Sequence, residues 1–327
     1  MESNRTFGGF LQLERLSGKE YHDGLYAFNL GRTAFALYVK ENGYKRIYLP
    51  YYLCDSLEEA IVKANITIER YSLLRNLHPD SKSLPGKMED TDLLVVVNYF
   101  SCLNKQDISD LKKKYGNVLI DNTQAFFQKP LDGVDTLYTC RKWFGVADGA
   151  YLYTAEPLDN YCGLPMDHSA ERLLHLALKL EDENGDYYTH YHSFEESFSY
   201  AEPKQMSMVT RNLMGGIDYN GVAEQRKKNY AVLAAQFDGI NSLANIMQAG
   251  AVPFMYPLYT EKAPEIRLAL RDKRCFLPML WPNVLEYSDN VWEKKLTQNT
   301  LLLPCDQRYN EEDMKVLAQY VGTELEK

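Results

Sequence analysis

A run of five apolar residues at positions 93–97 (LLVVV) constrains the fold more than any other feature of the sequence. A strand that is apolar at every position, and not only at alternate positions, is typical of a sheet that helices cover on both faces. The run is followed by helical spacing of Ile108, Leu111 and Tyr115, and Gly116 then favours the end of a helix. A buried strand followed by a helix predicts one β-α unit of a parallel sheet.

The same alternation precedes this run. Residues 31–43 (GRTAFALYVKENG) have helical apolar spacing and end at Gly43, which can adopt the left-handed conformation that closes a helix. Residues 47–50 (IYLP) then predict a short strand. Ser56 and Glu59 have the spacing of a capping box, which predicts the start of the next helix.

Two further apolar runs continue the pattern. Residues 118–120 predict a buried strand that ends at Asp121, and residues 150–154 predict another strand after Gly149. We therefore expect an α/β fold with a mostly parallel central sheet wrapped by helices. Such sheets have right-handed crossovers and bind ligands at the carboxyl ends of their strands.

The length of the chain indicates more than one domain. Single cores stop growing at roughly 250–300 residues, and this chain has 327. Residues 222–238 predict an amphipathic helix that leads away from the sheet, and short apolar runs separated by helical segments follow it. We predict a large α/β domain over residues 1–215 and a small α+β domain over residues 216–327.

Composition excludes several classes of function. The net charge of −9 and the pI of about 5.3 disfavour nucleic-acid binding, which needs a basic surface. The six cysteines are scattered without a C-x-x-C pair, as expected for reduced thiols, and no segment approaches the roughly 18 apolar residues of a membrane helix. His190 and His192 lack further ligands nearby, so we expect no metal site. These features predict a cytoplasmic protein without a membrane or nucleic-acid partner.

Two residues have side chains suited to chemistry in such a sheet. Asp121 follows a buried strand, where it either caps the next turn or faces a cationic ligand, and an isolated aspartate at a turn is more often a cap. Lys142 taken alone would be a solvated surface lysine. The adjacent Trp143 and Phe144 predict partial burial, which favours the neutral, nucleophilic amine.

The segments GRTA (31–34), IDNTQAFF (120–127) and YTCRKWFGVADGAYLY (138–153) resemble, in order and spacing, the DegT-type aminotransferases. This family contains many nucleotide-sugar aminotransferases and has the fold-type I architecture of enzymes dependent on pyridoxal 5′-phosphate (PLP). The resemblance extends over nearly the whole chain. It implies that Lys142, a few residues before an acidic-Gly-Ala turn, binds PLP as an internal aldimine.

The resemblance also assigns roles to residues around the cofactor. Asp121 matches the aspartate that faces the pyridine nitrogen, and Gln124 matches the residue near the phenolic oxygen. Gly31, Arg32 and Thr33 match the turn at a helix start that binds the phosphate. These roles agree with the chemistry, since an aspartate keeps the ring nitrogen protonated and a helix N-terminus attracts a dianion.

Some family positions differ in this chain. Leu137 replaces a phosphate-binding serine, so Thr139 is expected to take its place. Cys54 stands where the family has an aromatic residue that stacks on the cofactor ring, which leaves Tyr51 or Tyr52 as substitutes, and we choose Tyr52.

The resemblance implies a homodimer in which Lys204, Ser207 or Arg211 of the second copy helps to hold the phosphate. It implies transfer of an amino group from an amino-acid donor to a keto-sugar or related carbonyl acceptor, either free or linked to a nucleotide as in the family. Dehydration or elimination would use the same cofactor and lysine. An aminotransferase-fold protein that binds or regulates without turnover also stays open, because several cofactor contacts are altered.

Overall fold

The computed structural model describes residues 7–182, 187–196, 198 and 201–327. Its strands are β1 (Tyr26–Phe28), β2 (Arg46–Pro50), β3 (Thr67–Tyr71), β4 (Asp92–Val97), β5 (Val118–Asp121), β6 (Asp135–Thr139), β7 (Ala150–Tyr153), β8 (Tyr256–Tyr259) and β9 (Thr300–Leu303). Its α-helices are α1 (Gly31–Glu41), α2 (Ser56–Ile61), α3 (Lys105–Tyr115), α4 (Leu174–Glu181), α5 (Tyr188–Glu196), α6 (Met208–Met214), α7 (Tyr219–Phe237), α8 (Ala263–Arg271), α9 (Val284–Tyr287), α10 (Val291–Asn299) and α11 (Glu311–Leu325).

Seven strands form one sheet in the order β1-β7-β6-β5-β4-β2-β3. The pairs from β6 to β3 are parallel, and β7 runs antiparallel to both of its neighbours. Strand β4, the apolar run of the sequence, is buried at every position. The predicted α/β class with a mostly parallel central sheet is therefore confirmed, and the carboxyl ends of β2, β4, β5 and β6 lie along one edge.

The sequence signals at the end of α1 and at the start of α2 had different outcomes. Gly43 has a φ of 68° directly after the last turn of α1, as predicted. The predicted capping box of Ser56 and Glu59 is wrong, because Asp55 is the N-cap residue of α2 and no side chain caps this helix. The Ser56 hydroxyl lies 3.0 Å from the Cys54 thiol instead.

The C-terminal part has its own small sheet and core. Strands β8 and β9 pair antiparallel, and a second hydrophobic cluster lies between them and α7, α8 and α11. The first cluster, around the large sheet, also includes residues from the C-terminal part, namely Leu243, Ile246, Phe254, Trp281, Val284, Leu296 and Leu302. The division between residues 215 and 216 stays a prediction, and residues on both sides of it share one core.

Within the described ranges, no helix has the length and apolar character that crossing a membrane requires.

Candidate active site

A cavity of about 130 Å³ opens at the carboxyl-end edge of the large sheet. Val97, Asp121 and Thr139, the last residues of β4, β5 and β6, all line it. Its other lining residues are Leu30, Gly31, Arg32, Leu53, Cys54, Ser56, Leu57, Thr123, Gln124, Leu137, Arg141, Lys142, Gly149 and Trp281. This is the position at which open α/β sheets bind ligands.

The cavity brings together most of the residues that the sequence singled out. Those that line it are Gly31, Arg32, Asp121, Gln124, Thr139 and Lys142. Thr33 and Tyr52 do not line it.

The start of α1 forms one wall of the cavity. The N-cap residue of this helix is Leu30, whose side chain cannot accept a hydrogen bond from the helix. The first backbone N–H groups of α1 therefore favour binding of an anion. A Cβ atom on Gly31 would lie 3.1 Å from Cγ2 of Thr139, so the absence of a side chain lets the helix start approach β6 closely. The Thr33 hydroxyl turns away, contrary to the expectation of a lining residue, and donates to the Leu30 carbonyl over 2.9 Å.

Tyr52 does not face the cavity, which corrects the choice of this residue as a stacking ring. It is fully buried, and its ring packs edge-on against Trp281 with centroids 4.6 Å apart. Cys54 lines the cavity at this point of the chain. Trp281 also lines it, although no sequence pattern marked a residue so far along the chain.

The position of Asp121 is compatible with both of the roles that the sequence left open. Its Oδ1 accepts a hydrogen bond from the Thr123 backbone N–H over 2.9 Å, so it caps the turn after β5. It also lines the cavity, and it is 5% exposed. Burial raises the pKa of the Asp121 carboxyl, and the bonds from Thr123 and the charge of Lys142 offset only part of that rise. A cationic group of a ligand beside this carboxylate would stabilise its charge further.

Two buried polar atoms of lining residues have no hydrogen-bond partner within the part of the chain that is described: Nε2 of Gln124 and Oγ1 of Thr139. Leaving such an atom unpaired costs about 1–3 kcal/mol. The Gln124 amide is oriented by a bond from the Phe100 N–H to its Oε1 over 3.1 Å. Both atoms are therefore available to form hydrogen bonds with a polar ligand in the cavity.

Three cationic side chains line the cavity, namely Arg32, Arg141 and Lys142. Burial, together with the charge of Arg32, lowers the pKa of Arg141 to about 10. Arg141 pairs with Glu195, and Arg32 lies 3.6 Å from Glu59, but neither carboxylate lines the cavity. Sequence reasoning missed Arg141, whose only local signal is its place beside Lys142. The positive lining favours an anionic ligand.

Lys142 lines the cavity but is exposed, so the predicted burial between aromatic rings is wrong. The reason is that Trp143 and Phe144, which are 2% and 5% exposed, point into the core. The Trp143 indole donates from Nε1 to the Thr123 carbonyl over 2.9 Å. The amine of Lys142 is thus accessible while its backbone is anchored by its neighbour.

The turn of Asp148 and Gly149 fastens helix α6 to the sheet. The fully buried Asp148 carboxylate accepts bonds from the Ser207 N–H (2.8 Å), from the Ser207 hydroxyl (2.7 Å) and from the Thr210 hydroxyl. The acidic-Gly-Ala motif therefore stabilises the structure around Lys142. The carboxylate of Asp148 does not line the cavity.

The residues predicted to act across a dimer interface have partners in their own chain. Ser207 is 1% exposed and bound to Asp148, so it is closed to a second copy. Lys204 pairs with Asp167 over 3.3 Å, and Arg211 pairs with Glu20 over 3.2 Å.

Among the described residues, no group of three or more His, Cys, Asp or Glu side chains is arranged to hold a metal ion. His190 and His192 lie on helix α5, where a spacing of two residues directs them to different sides.

No protein-family model matches the sequence, and no curated protein matches it. Solved structures do match. The Helicobacter pylori aminotransferase PseC, involved in the biosynthesis of pseudoaminic acid, is 12% identical, with a TM-score of 0.64 over 92% of this chain and 86% of that one. The putative sugar aminotransferase Spr1654 from Streptococcus pneumoniae, in its PLP form, is 11% identical, with a TM-score of 0.64 and the same coverage, 92% and 86%.

A third match has a different activity. The E. coli GDP-4-keto-6-deoxy-D-mannose-3-dehydratase with bound hydrated PLP is 14% identical, with a TM-score of 0.59 over 90% of this chain and 86% of that one. At these identities the likeness shows the fold, which this chain shares with sugar aminotransferases and with this dehydratase.

Proposed function

We propose that this protein is a PLP-dependent aminotransferase that moves an amino group from an amino-acid donor to a keto-sugar or related carbonyl acceptor, and that Lys142 binds the cofactor covalently. The observation that carries the proposal is one cavity that joins Lys142, Asp121, Gln124 and the start of α1. The shared fold with structures that hold PLP supports it.

The cavity residues fit this cofactor. A protonated ring nitrogen next to Asp121 offsets the burial that raises the pKa of this carboxyl. The unpaired Nε2 of Gln124 and Oγ1 of Thr139 are donors for oxygen atoms of the ligand. Arg32 and the uncapped start of α1 suit a phosphate dianion.

Each residue then has a defined task. PLP, when bound, supplies an electron sink for a carbanion at the substrate. Asp121 holds a proton on the ring nitrogen. Lys142 has an accessible amine that can move a proton at the reacting carbon as general base and then as general acid. Arg32 and Arg141 balance the charge of the phosphate, which compensates for Leu137 at the position of the family serine.

A dehydratase is the second candidate, and the likeness to the E. coli dehydratase favours it. Both reactions use the same lysine and cofactor, so their products distinguish them. An aminotransferase changes the absorbance of its cofactor when an amino acid is added without an acceptor, and a keto-sugar restores it. A dehydratase instead releases a deoxygenated keto-sugar. A protein that binds PLP but does neither would have a binding or regulatory role.

Borohydride reduction followed by peptide mapping tests the central assignment. We expect the pyridoxyl group on Lys142, and we expect Lys142→Ala to abolish both the label and turnover. Lys129→Ala is the matched control, because Lys129 is a lysine of the same region that does not line the cavity. A label on another lysine, or none on folded protein, would contradict the proposal.

We further propose that the working unit is a homodimer. Its support is a segment of apolar side chains left in solvent near the N-terminus: Phe10, Leu11 and Leu13 are 101%, 91% and 71% exposed. Burial of such side chains on a second copy gains roughly 25 cal/mol per Å². Sedimentation should give twice the mass of the chain for the wild type and a lower mass for Phe10→Ser with Leu13→Ser. A monomeric wild type with full activity would overturn this point.

We place this dimer in the cytoplasm. All six cysteines are free, which supports the expectation of a reducing compartment. Its partners are then the amino donor, the carbonyl acceptor, either free or as a nucleotide-linked sugar, and the second copy of the chain.

A further inference from the structure

Trp143 connects the two residues that carry the proposed chemistry. Its backbone directly follows Lys142, and its indole donates to the Thr123 carbonyl over 2.9 Å. The Thr123 N–H in turn donates to Asp121 Oδ1 over 2.9 Å. Because the indole is buried, its position sets the turn after β5 and the turn that carries Lys142 at the same time.

Arg226 of helix α7 and Gln307 hold Trp143 from the opposite side. Arg226 Nη2 and Gln307 Nε2 both donate to the Trp143 carbonyl, over 3.4 and 2.8 Å, and Arg226 Nε donates to Gln307 Oε1 over 2.8 Å. The guanidinium also lies 4.4 Å from the centre of the Trp143 ring. Its Nη1 donates to the carbonyls of Pro253 and Phe254, each over 3.1 Å. These contacts form a closed ring of hydrogen bonds around one carbonyl.

The chemistry of Arg226 indicates more than packing. The side chain is 2% exposed, and its hydrogen bonds go to carbonyl and amide oxygens and not to a carboxylate. Asp306, the nearby acid, is bound by Arg308 over 2.7 and 2.8 Å. Burial lowers the pKa of Arg226, and the charge of Asp306 offsets only part of that effect. A buried cation that no carboxylate binds directly is costly, whereas a planar fork of donors is suited to holding several oxygens in a fixed arrangement.

We infer that Arg226 and Gln307 are positioning residues, which fix Trp143 and through it the relative placement of Lys142 and Asp121. The C-terminal part of the chain then sets the geometry of the cavity in the large sheet. The inference rests on the proposed function for the roles of Lys142 and Asp121.

Gln307→Glu is the sharpest variant. Its carboxylate still accepts from Arg226 and adds a counter-ion, so the fold is retained, but it cannot donate to the Trp143 carbonyl. Asn241→Ala is the matched control: Asn241 is another buried amide of the C-terminal part, which donates to the Tyr256 hydroxyl and the Pro257 carbonyl over 3.1 and 2.8 Å and makes its bonds away from the segment of Gln307. Arg226→Lys keeps the positive charge but removes the planar set of N–H donors of the guanidinium.

Hydrogen exchange of residues 143–146 in the cofactor-free protein is the first measurement. The Trp143 and Phe144 amides donate to the Cys140 carbonyl, each over 2.9 Å, so they report on this turn. We expect roughly tenfold faster exchange in Gln307→Glu, as for loss of one buried hydrogen bond, and wild-type exchange in Asn241→Ala. With PLP bound, we expect kcat to fall about 10²-fold in Gln307→Glu with little change in the donor KM, because the reacting groups are misplaced.

The pH midpoint of the cofactor absorbance should shift in Arg226→Lys, which leaves the charge unchanged, and should stay constant in Asn241→Ala. A role in packing alone would not move this midpoint. Wild-type exchange and kcat in Gln307→Glu, or equal changes in Asn241→Ala, would overturn the inference. If Arg226→Lys does not fold, Gln307→Glu decides alone. If the wild type binds no PLP, the proposed function fails, while the exchange comparison still decides whether the three residues act together.

Discussion

A single methyl group at Gly149 tests the geometry of the turn that frames the cavity. Gly149 has a φ of 121°, which side-chain-bearing residues rarely adopt. A Cβ atom there would lie 3.0 Å from Cys140 Sγ and 3.1 Å from Thr210 Cγ2. Gly149→Ala therefore introduces backbone strain and steric overlap together.

The magnitude follows from these two effects. A residue held in a sparsely populated backbone region costs about 1–3 kcal/mol. Insertion of a methyl group into a packed site costs about 1–3 kcal/mol more. Since Cys140 is fully buried and Thr210 is held by Asp148, neither neighbour has room to move. We expect Gly149→Ala to lower the free energy of unfolding by roughly 2–6 kcal/mol.

Urea unfolding of three variants separates the two effects. Gly43→Ala has the backbone effect alone, because Gly43 has a φ of 68° and open space around it, so a loss of about 1–2 kcal/mol is expected. Gly86→Ala introduces neither backbone strain nor steric overlap, so we expect its free energy of unfolding to change by no more than about 0.5 kcal/mol. If Gly149→Ala lost no more stability than Gly43→Ala, the packing of this turn against Cys140 and Thr210 would be refuted.

Three further predictions follow from the charges of the site and core. Asp121→Asn should stabilise the cofactor-free protein at neutral pH, because it removes a buried charge, and should cut turnover by orders of magnitude; wild-type turnover would reduce Asp121 to a turn cap. Arg141→Gln should weaken binding of PLP in absorbance titrations but not binding of pyridoxal, which lacks the phosphate, and equal losses would exclude Arg141 from the phosphate. Burial lowers the pKa of His22 from 6.5 to about 3, so the neutral ring contributes stability that is complete above pH 6.5 and is lost as the pH falls towards 3. Unfolding free energies should then fall by about 1.4 kcal/mol per pH unit more steeply in the wild type than in His22→Gln, and parallel curves would contradict this.

The predictable parts of the fold are those with local signals. Strand β4 is apolar from Leu93 to Val97 because it is covered on both faces, and Gly43 follows α1 because the chain there needs a positive φ. Strand β1 has three residues and pairs antiparallel with β7, more than a hundred residues later, so no local pattern marks it. For the same reason, no local pattern predicts that β7 runs antiparallel to its neighbours.

The candidate site divides in the same way. Asp121 and Thr139 line the cavity because each ends a strand, which the alternation of strands and helices makes predictable for Asp121. The choice of Tyr52 failed because the direction of a side chain after Pro50 depends on tertiary packing against Trp281. Arg141 was overlooked because successive residues of a turn, unlike those of a strand, need not face opposite ways, so Arg141 and Lys142 both line the cavity.

The position of Trp281 has a consequence for folding during synthesis of the chain. This residue lines the cavity and packs on Tyr52, yet it belongs to a segment that the ribosome produces long after the last strand of the large sheet. A nascent chain that ends before Trp281 therefore has a sheet edge open on one side and a Tyr52 ring without its cover. The cavity as described is therefore complete only after the C-terminal part has been synthesised.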